Sequence, residues 1–105
     1  MTTAEIVDRA AYLLADAVPP ESKVILFGSY SRGDAKADSD FDFLVIEPSV
    51  SSKAKEMVRL RAVLDPLRVA ADVVVVPREY VEEWGEVPGT LIYDALTEGR
   101  VLAET

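Results

Sequence analysis

FGSYSRGDAKADSDFDFLVI, residues Phe27 to Ile46, sets a Gly-Ser, an Arg-Gly and the acids Asp34, Asp38, Asp40 and Asp42 between two apolar runs. The run that leads into it, Lys23 to Phe27, does not alternate, so it reads as a short strand buried on both faces. The run that ends it, Phe41 to Glu47, reads as a second strand halted at Pro48. Between them, Ser29 to Arg32 makes one helical turn closed by Gly33, and Asp34 to Ser39 is a small polar loop. Asp40 and Asp42 thus stand two residues apart at the mouth of a strand, a spacing that sends both side chains from one face. Two carboxylates ~4 Å apart repel by roughly 4 kcal/mol at an effective dielectric of ~20. The nearby cations are Arg32 and Lys36. A divalent cation held between the acids reverses the sign of that interaction.

The flanking sequence supplies the rest of a small α/β sandwich. Thr2 and Glu5 form a capping box, and Ile6, Ala10, Leu13, Leu14 and Ala17 recur at helical spacing until Pro19-Pro20 stops them. Ser51 or Ser52 caps a helix carrying Met57, Leu60, Val63, Leu64 and Leu67, which Pro66 ends or kinks. Ala71 to Val76 is a third strand, closed by Pro77. Glu79 to Trp84 reads as a short helix and Gly85 to Gly89 as a turn. Thr90 to Glu98 is helical, Gly99 takes the left-handed cap position, and Arg100 to Leu102 adds a last short strand. The order predicts an α/β (α+β) fold, a small mixed sheet flanked by helices, over residues 1–105 as a single domain.

Composition narrows the chemistry. Half of the residues are apolar or aromatic and 29% are charged, an ordinary globular balance. No apolar run reaches the roughly 18 residues a membrane span needs. The N-terminus shows no basic stretch followed by an apolar core, so a secretory signal is not expected. Cysteine is absent, which fits a cytoplasmic protein and excludes thiolate sites. Histidine is absent too, so proton transfer and metal binding fall to carboxylates, whose oxygens favour Mg²⁺. A net charge of −8 repels polyanions and argues against nucleic acid as partner.

Three features carry chemistry. Asp40 and Asp42 form the first; alone, such a pair is equally a loop terminator beside a solvated acid. Gly28-Ser29 is the second. A glycine there lets backbone approach a ligand, and the N–H groups of the turn face an anion. The alternative is a tight strand-to-helix turn with serine as its cap. The Gly-Lys-Ser/Thr ending of a P-loop is missing. Asp72 is the third: an ionised acid inside AADVVVVP costs several kcal/mol unless it is paired or reaches an edge. Were the third strand to lie beside the second, Asp72 would face the same site as Asp40 and Asp42.

Gly28-Ser29-x-x-Arg32-Gly33, then Ser39-Asp40-x-Asp42, then Asp72 on a valine-rich strand resembles the nucleotidyltransferase superfamily related to DNA polymerase β. The likeness is greatest to its minimal nucleotidyltransferase (MNT) proteins, the antitoxins often encoded beside a HEPN-domain toxin. The Val87-Pro88-Gly89 turn and the Ala95 to Leu102 segment extend the likeness over most of the chain. The resemblance implies two Mg²⁺ ions held by Asp40, Asp42 and Asp72, with Asp72 also helping to deprotonate an acceptor hydroxyl. It implies a triphosphate on Gly28 and Ser29, with Arg32 either touching nucleotide or bracing the loop, and Ser39 orienting the Asp40 loop. It further implies transfer of a nucleoside monophosphate, AMP from ATP, to a tyrosine of a HEPN toxin. The alternative is an antitoxin that neutralises its partner by contact alone. Oligomerisation or a partner chain is expected to complete the site, with Tyr80, Trp84 and Tyr93 either on that interface or in the core.

Overall fold

The computed structural model describes residues Met1 to Thr105. The capping box opens α1 (Thr3–Ala17): the Glu5 amide donates to the Thr2 hydroxyl and the Thr2 amide to the Glu5 carboxylate, each at 3.2 Å. β1 (Lys23–Phe27) runs into the turn α2 (Ser29–Arg32), and β2 (Phe41–Glu47) follows the polar loop. Of the two candidate caps, Ser52 opens α3 (Lys53–Val63), accepting from the Lys55 amide at 3.3 Å. Pro66 falls in a 3-10 turn, Asp65–Leu67, that breaks away from α3. Then come β3 (Ala71–Pro77), α4 (Arg78–Trp84), α5 (Leu91–Glu98) and β4 (Arg100–Glu104).

The strands order as β3-β2-β1-β4. β1 pairs antiparallel with both β2 and β4, whereas β2 and β3 are parallel. Parallel neighbours need a crossover, and α3 supplies it. Helices cover both faces, which is why the strands do not alternate. On one face Val24, Leu26, Phe43, Val45, Val73 and Val75 pack against Val7, Ala10 and Leu14 of α1 and Leu60 of α3. On the other, Ile25, Leu44, Ile46 and Val76 pack against Ile92 and Ala95 of α5. No helix is long and apolar enough to cross a membrane.

One sequence expectation is corrected here. Gly99 does not take a left-handed cap; its φ of −77° and ψ of 163° are extended. The chain passes from α5 into β4 through this single extended residue. Glycine is needed for a different reason: a Cβ at residue 99 would overlap the Ala95 carbonyl and the Ile25 side chain beneath it.

Candidate active site

The sheet brings three strand ends together at one margin. β1 ends at Phe27, and Phe27 pairs with Asp42, which in turn pairs with Asp72. Paired residues on neighbouring strands project from the same face, and the strands lie about 4.8 Å apart. Asp42 and Asp72 are therefore side by side on the face that α5 covers. Asp40 precedes β2, on the exposed end of the loop. It reaches Asp42 through charge: Asp42 has its pKa raised first by burial, then by Asp72, then by Asp40, with Arg32 opposing. The three acids do not close into a cluster of three ligands around one point. What the fold assembles is an adjacent pair, Asp42 and Asp72, with Asp40 at its rim.

Gly28 makes this margin accessible. Its φ of 76° and ψ of −156° belong to glycine, and a Cβ there would overlap the Asp42 carboxylate. The turn α2 thus passes directly over Asp42. Its first amides have no partner within the turn, as at any helix start. Gly33, at φ 86°, closes it in the left-handed conformation read from the sequence.

Other side chains fasten this turn. The Tyr30 ring stacks on Phe41 with centroids 3.8 Å apart and planes 5° from parallel, tying α2 to the start of β2. The Ser31 hydroxyl donates to the Glu98 carbonyl at 2.7 Å. Arg32 donates to Asp34 at 3.2 Å and to the Glu98 carboxylate at 3.0 Å, bonds that raise its pKa further. In this arrangement Arg32 braces the turn against α5. Ser39 accepts from the Lys36 amide at 2.8 Å and shapes the loop before Asp40. Ser29 stands partly exposed at the head of the turn. Sequence reasoning missed Tyr30, Phe41 and Glu98, because each acts through a partner distant in the chain.

A groove of about 530 Å³ opens beside the acids, with Phe27, Met57, Val58 and Leu91 among its apolar walls and Asp42 and Asp72 at its margin. Arg61 is its one cation.

Comparison with known proteins places the fold. The family model described as nucleotidyltransferase domain matches residues 9–102. No curated protein matches the chain. Among solved structures, a Sulfolobus solfataricus protein assigned as a nucleotidyltransferase superposes with a TM-score of 0.64 at 17% identity, covering 95% of this chain and 78% of its own. A toxin–antitoxin with AMP-PNP gives 0.57 at 22% identity, over 93% and 73% of the two chains. A complex of the tri-AMPylated Shewanella oneidensis HEPN toxin with its MNT antitoxin gives 0.56 at 21% identity, over 99% and 74%. At these identities the three structures speak to the fold.

Proposed function

Because the chain belongs to the nucleotidyltransferase domain family, we propose that it transfers AMP from ATP, with Mg²⁺, to a hydroxyl of a protein partner. The partner we assign is a HEPN toxin, the hydroxyl a tyrosine, and the biological role that of an antitoxin. The observation that carries this reading is the register: Asp42 pairs with Asp72 directly beneath the Gly28 turn.

The donor set fits magnesium. Asp42 and Asp72 place hard oxygen donors side by side, and Asp40 adds another from the rim. Burial first, then repulsion from Asp72 and Asp40, raises the Asp42 pKa, and a cation relieves the repulsion. Asp40 and Asp42 would ligate both ions, and Asp72 the one next to the acceptor. When bound, Mg²⁺ neutralises phosphate charge and lowers the pKa of the acceptor hydroxyl.

The chain's own groups do the rest. The Gly28-Ser29 turn holds the triphosphate by its amides and the Ser29 hydroxyl. Arg32 keeps that turn in place through Glu98 and Asp34. Asp72 takes the acceptor's proton as the hydroxyl oxygen bonds to the α-phosphorus. The bond from the α-phosphorus to its bridging oxygen breaks opposite, and pyrophosphate leaves.

A second reading is neutralisation by binding alone, since similar structures are complexes of toxin with antitoxin, although in one of them the toxin is AMPylated. One experiment separates the two. The protein is incubated with α-labelled ATP, Mg²⁺ and a HEPN partner, and both label transfer and toxin activity are followed. Asp42→Asn and Asp72→Asn are each expected to lower transfer by roughly a thousandfold or more while leaving the fold. If both variants still neutralise the toxin fully, contact alone is the mechanism.

A further inference from the structure

β3 is an edge strand, paired only to β2. The two edges of this sheet are built differently. β4 carries Arg100 and Glu104, the latter paired with Lys23 at 3.3 Å, and its register to β1 is broken between Val24 and Ile25. Charges and irregular registers of this kind discourage another strand from adding. Between its two ends β3 has neither device. Its register to β2 is unbroken from Ala71 to Pro77, and its one charge is Asp72 at the start.

The direction of its backbone groups follows from one bond. The Phe41 amide donates to the Ala70 carbonyl at 2.9 Å, so residue 70 turns its backbone toward β2. Alternation along a strand then turns residues 72, 74 and 76 inward as well. The outward N–H and C=O groups are those of Ala71, Val73 and Val75. Pro77, which has no N–H, falls at an outward position where the sheet loses nothing.

The groove described above lies along this edge. Asp72, Val73 and Val74 are consecutive in its floor. Met57 and Val58 of α3 form one wall; Val58 is 70% exposed. Leu91 of α5, 47% exposed, stands on the other side. An unpaired strand edge between two apolar walls is shaped for extended peptide.

We propose that the open edge of β3 binds the acceptor polypeptide as an added strand, delivering its hydroxyl-bearing residue to Asp42 and Asp72. This rests on the nucleotidyl-transfer reading above and specifies how the acceptor is presented. The occupant is an extended segment of the acceptor protein, because the groove ends on the acids. A residue opposite Asp72 on an added strand projects from the same face as Asp72 and Asp42. Its side chain then lies beside the Asp72 carboxylate, with Asp42 one strand further on, while the next residues fall on Val73, Val74, Val58 and Leu91. The preferred acceptor is therefore a hydroxyl side chain entering an apolar run in extended conformation. Arg61 favours an acidic neighbour. The reaction is unchanged: the acceptor oxygen gains the AMP phosphorus, its proton passes to Asp72, and pyrophosphate departs.

The test uses short synthetic peptides, each with one Tyr, Ser or Thr beside an apolar run, together with α-labelled ATP and Mg²⁺. Two protein variants accompany the wild type. Val73→Pro removes an outward N–H, and Val58→Asp charges an exposed wall that the chemistry does not use. Melting temperature reports folding, and ATP·Mg²⁺ binding is measured on each protein. Labelling of apolar-flanked peptides is expected, and N-methylation of alternate peptide amides should reduce it about tenfold. Val58→Asp should reduce it similarly with ATP binding intact, and Val73→Pro should agree if its melting temperature holds. Free tyrosine amide labelled as well as the peptides, no peptide labelled, or labelling indifferent to N-methylation and Val58→Asp would overturn the proposal. Concentration-dependent dimerisation abolished by Val73→Pro would overturn it by assigning the edge to a second copy. Loss of the parent reading looks different: wild-type protein would then bind no ATP·Mg²⁺.

Discussion

At the scale of single residues, the close approach of Gly28 to Asp42 is the tightest constraint on the site. Alanine at residue 28 meets two penalties, a positive φ and a Cβ that overlaps the Asp42 carboxylate. Gly28→Ala is expected to cost about 1–3 kcal/mol of stability and to displace Asp42, lowering transfer more than melting temperature accounts for. Denaturant unfolding and an activity assay check the two halves separately. Glu47, at the opposite end of β2, presents a different case. It is 3% exposed, and its Oε2 has no hydrogen-bond partner. Burial, and then Glu56, push its pKa up to about 8, while Arg59 and then Glu47 hold Glu56 well below the ordinary value of 4.5. A raised carboxyl pKa means the folded state keeps the proton longer. The stability Glu47 contributes is fully present below about pH 4.5 and is lost as pH rises through about 8, at up to about 1.4 kcal/mol per pH unit. Glu56 works in the opposite sense, losing its contribution as pH falls toward about 2. Urea unfolding between pH 5 and pH 8 should show the decline, and Glu47→Gln should flatten it. That Asp42 and Asp72 call for a common explanation was readable from residue type and spacing, since Asp in a valine run demands one. Glu47 was not, because a Glu before a Pro at a strand end looks solvated.

Among the elements, helix ends were the most legible features, because caps act within four residues. The Thr2 and Ser52 caps and the Gly33 turn all follow from local chemistry. Gly99 shows the limit of such reading. The helix-stop signal was right, but the conformation was set by packing against β1, which local sequence does not report. Gly99→Ala therefore strains the α5–β1 contact rather than a backbone dihedral. It is expected to cost about 1–3 kcal/mol by overpacking, measured as a lower melting temperature. Ile25→Ala, which removes the overlapping Cγ2, should cost less in the Gly99→Ala background than in the wild type, a coupling that relief of a dihedral would not predict.

For the whole molecule, strand order was the part hidden from the sequence. Nothing local states that β3 lies beside β2, yet that adjacency is what unites Asp42 with Asp72. Once formed, the site gathers acids on a chain whose net charge is already −8. Nucleotide binding should therefore depend on the cation. ATP with Mg²⁺ at a hundredfold excess over its dissociation constant is expected to stabilise the fold by about 2.7 kcal/mol. ATP with EDTA should give little or none, and a thermal-shift series compares them. Equal stabilisation in EDTA would remove the carboxylates from the binding role.

The sheet order has a consequence during synthesis. β1 lies between β2 and β4, and residues 100–104 are made after every acid of the site. Until that stretch leaves the ribosome, β1 has an unpaired flank, and the Glu98 brace on Arg32 lacks the strand that follows it. A nascent chain halted before Gly99 would carry all three acids yet hold its Gly-Ser turn loosely. The candidate site is thus held firmly only once the polypeptide has closed the side of the sheet opposite β3.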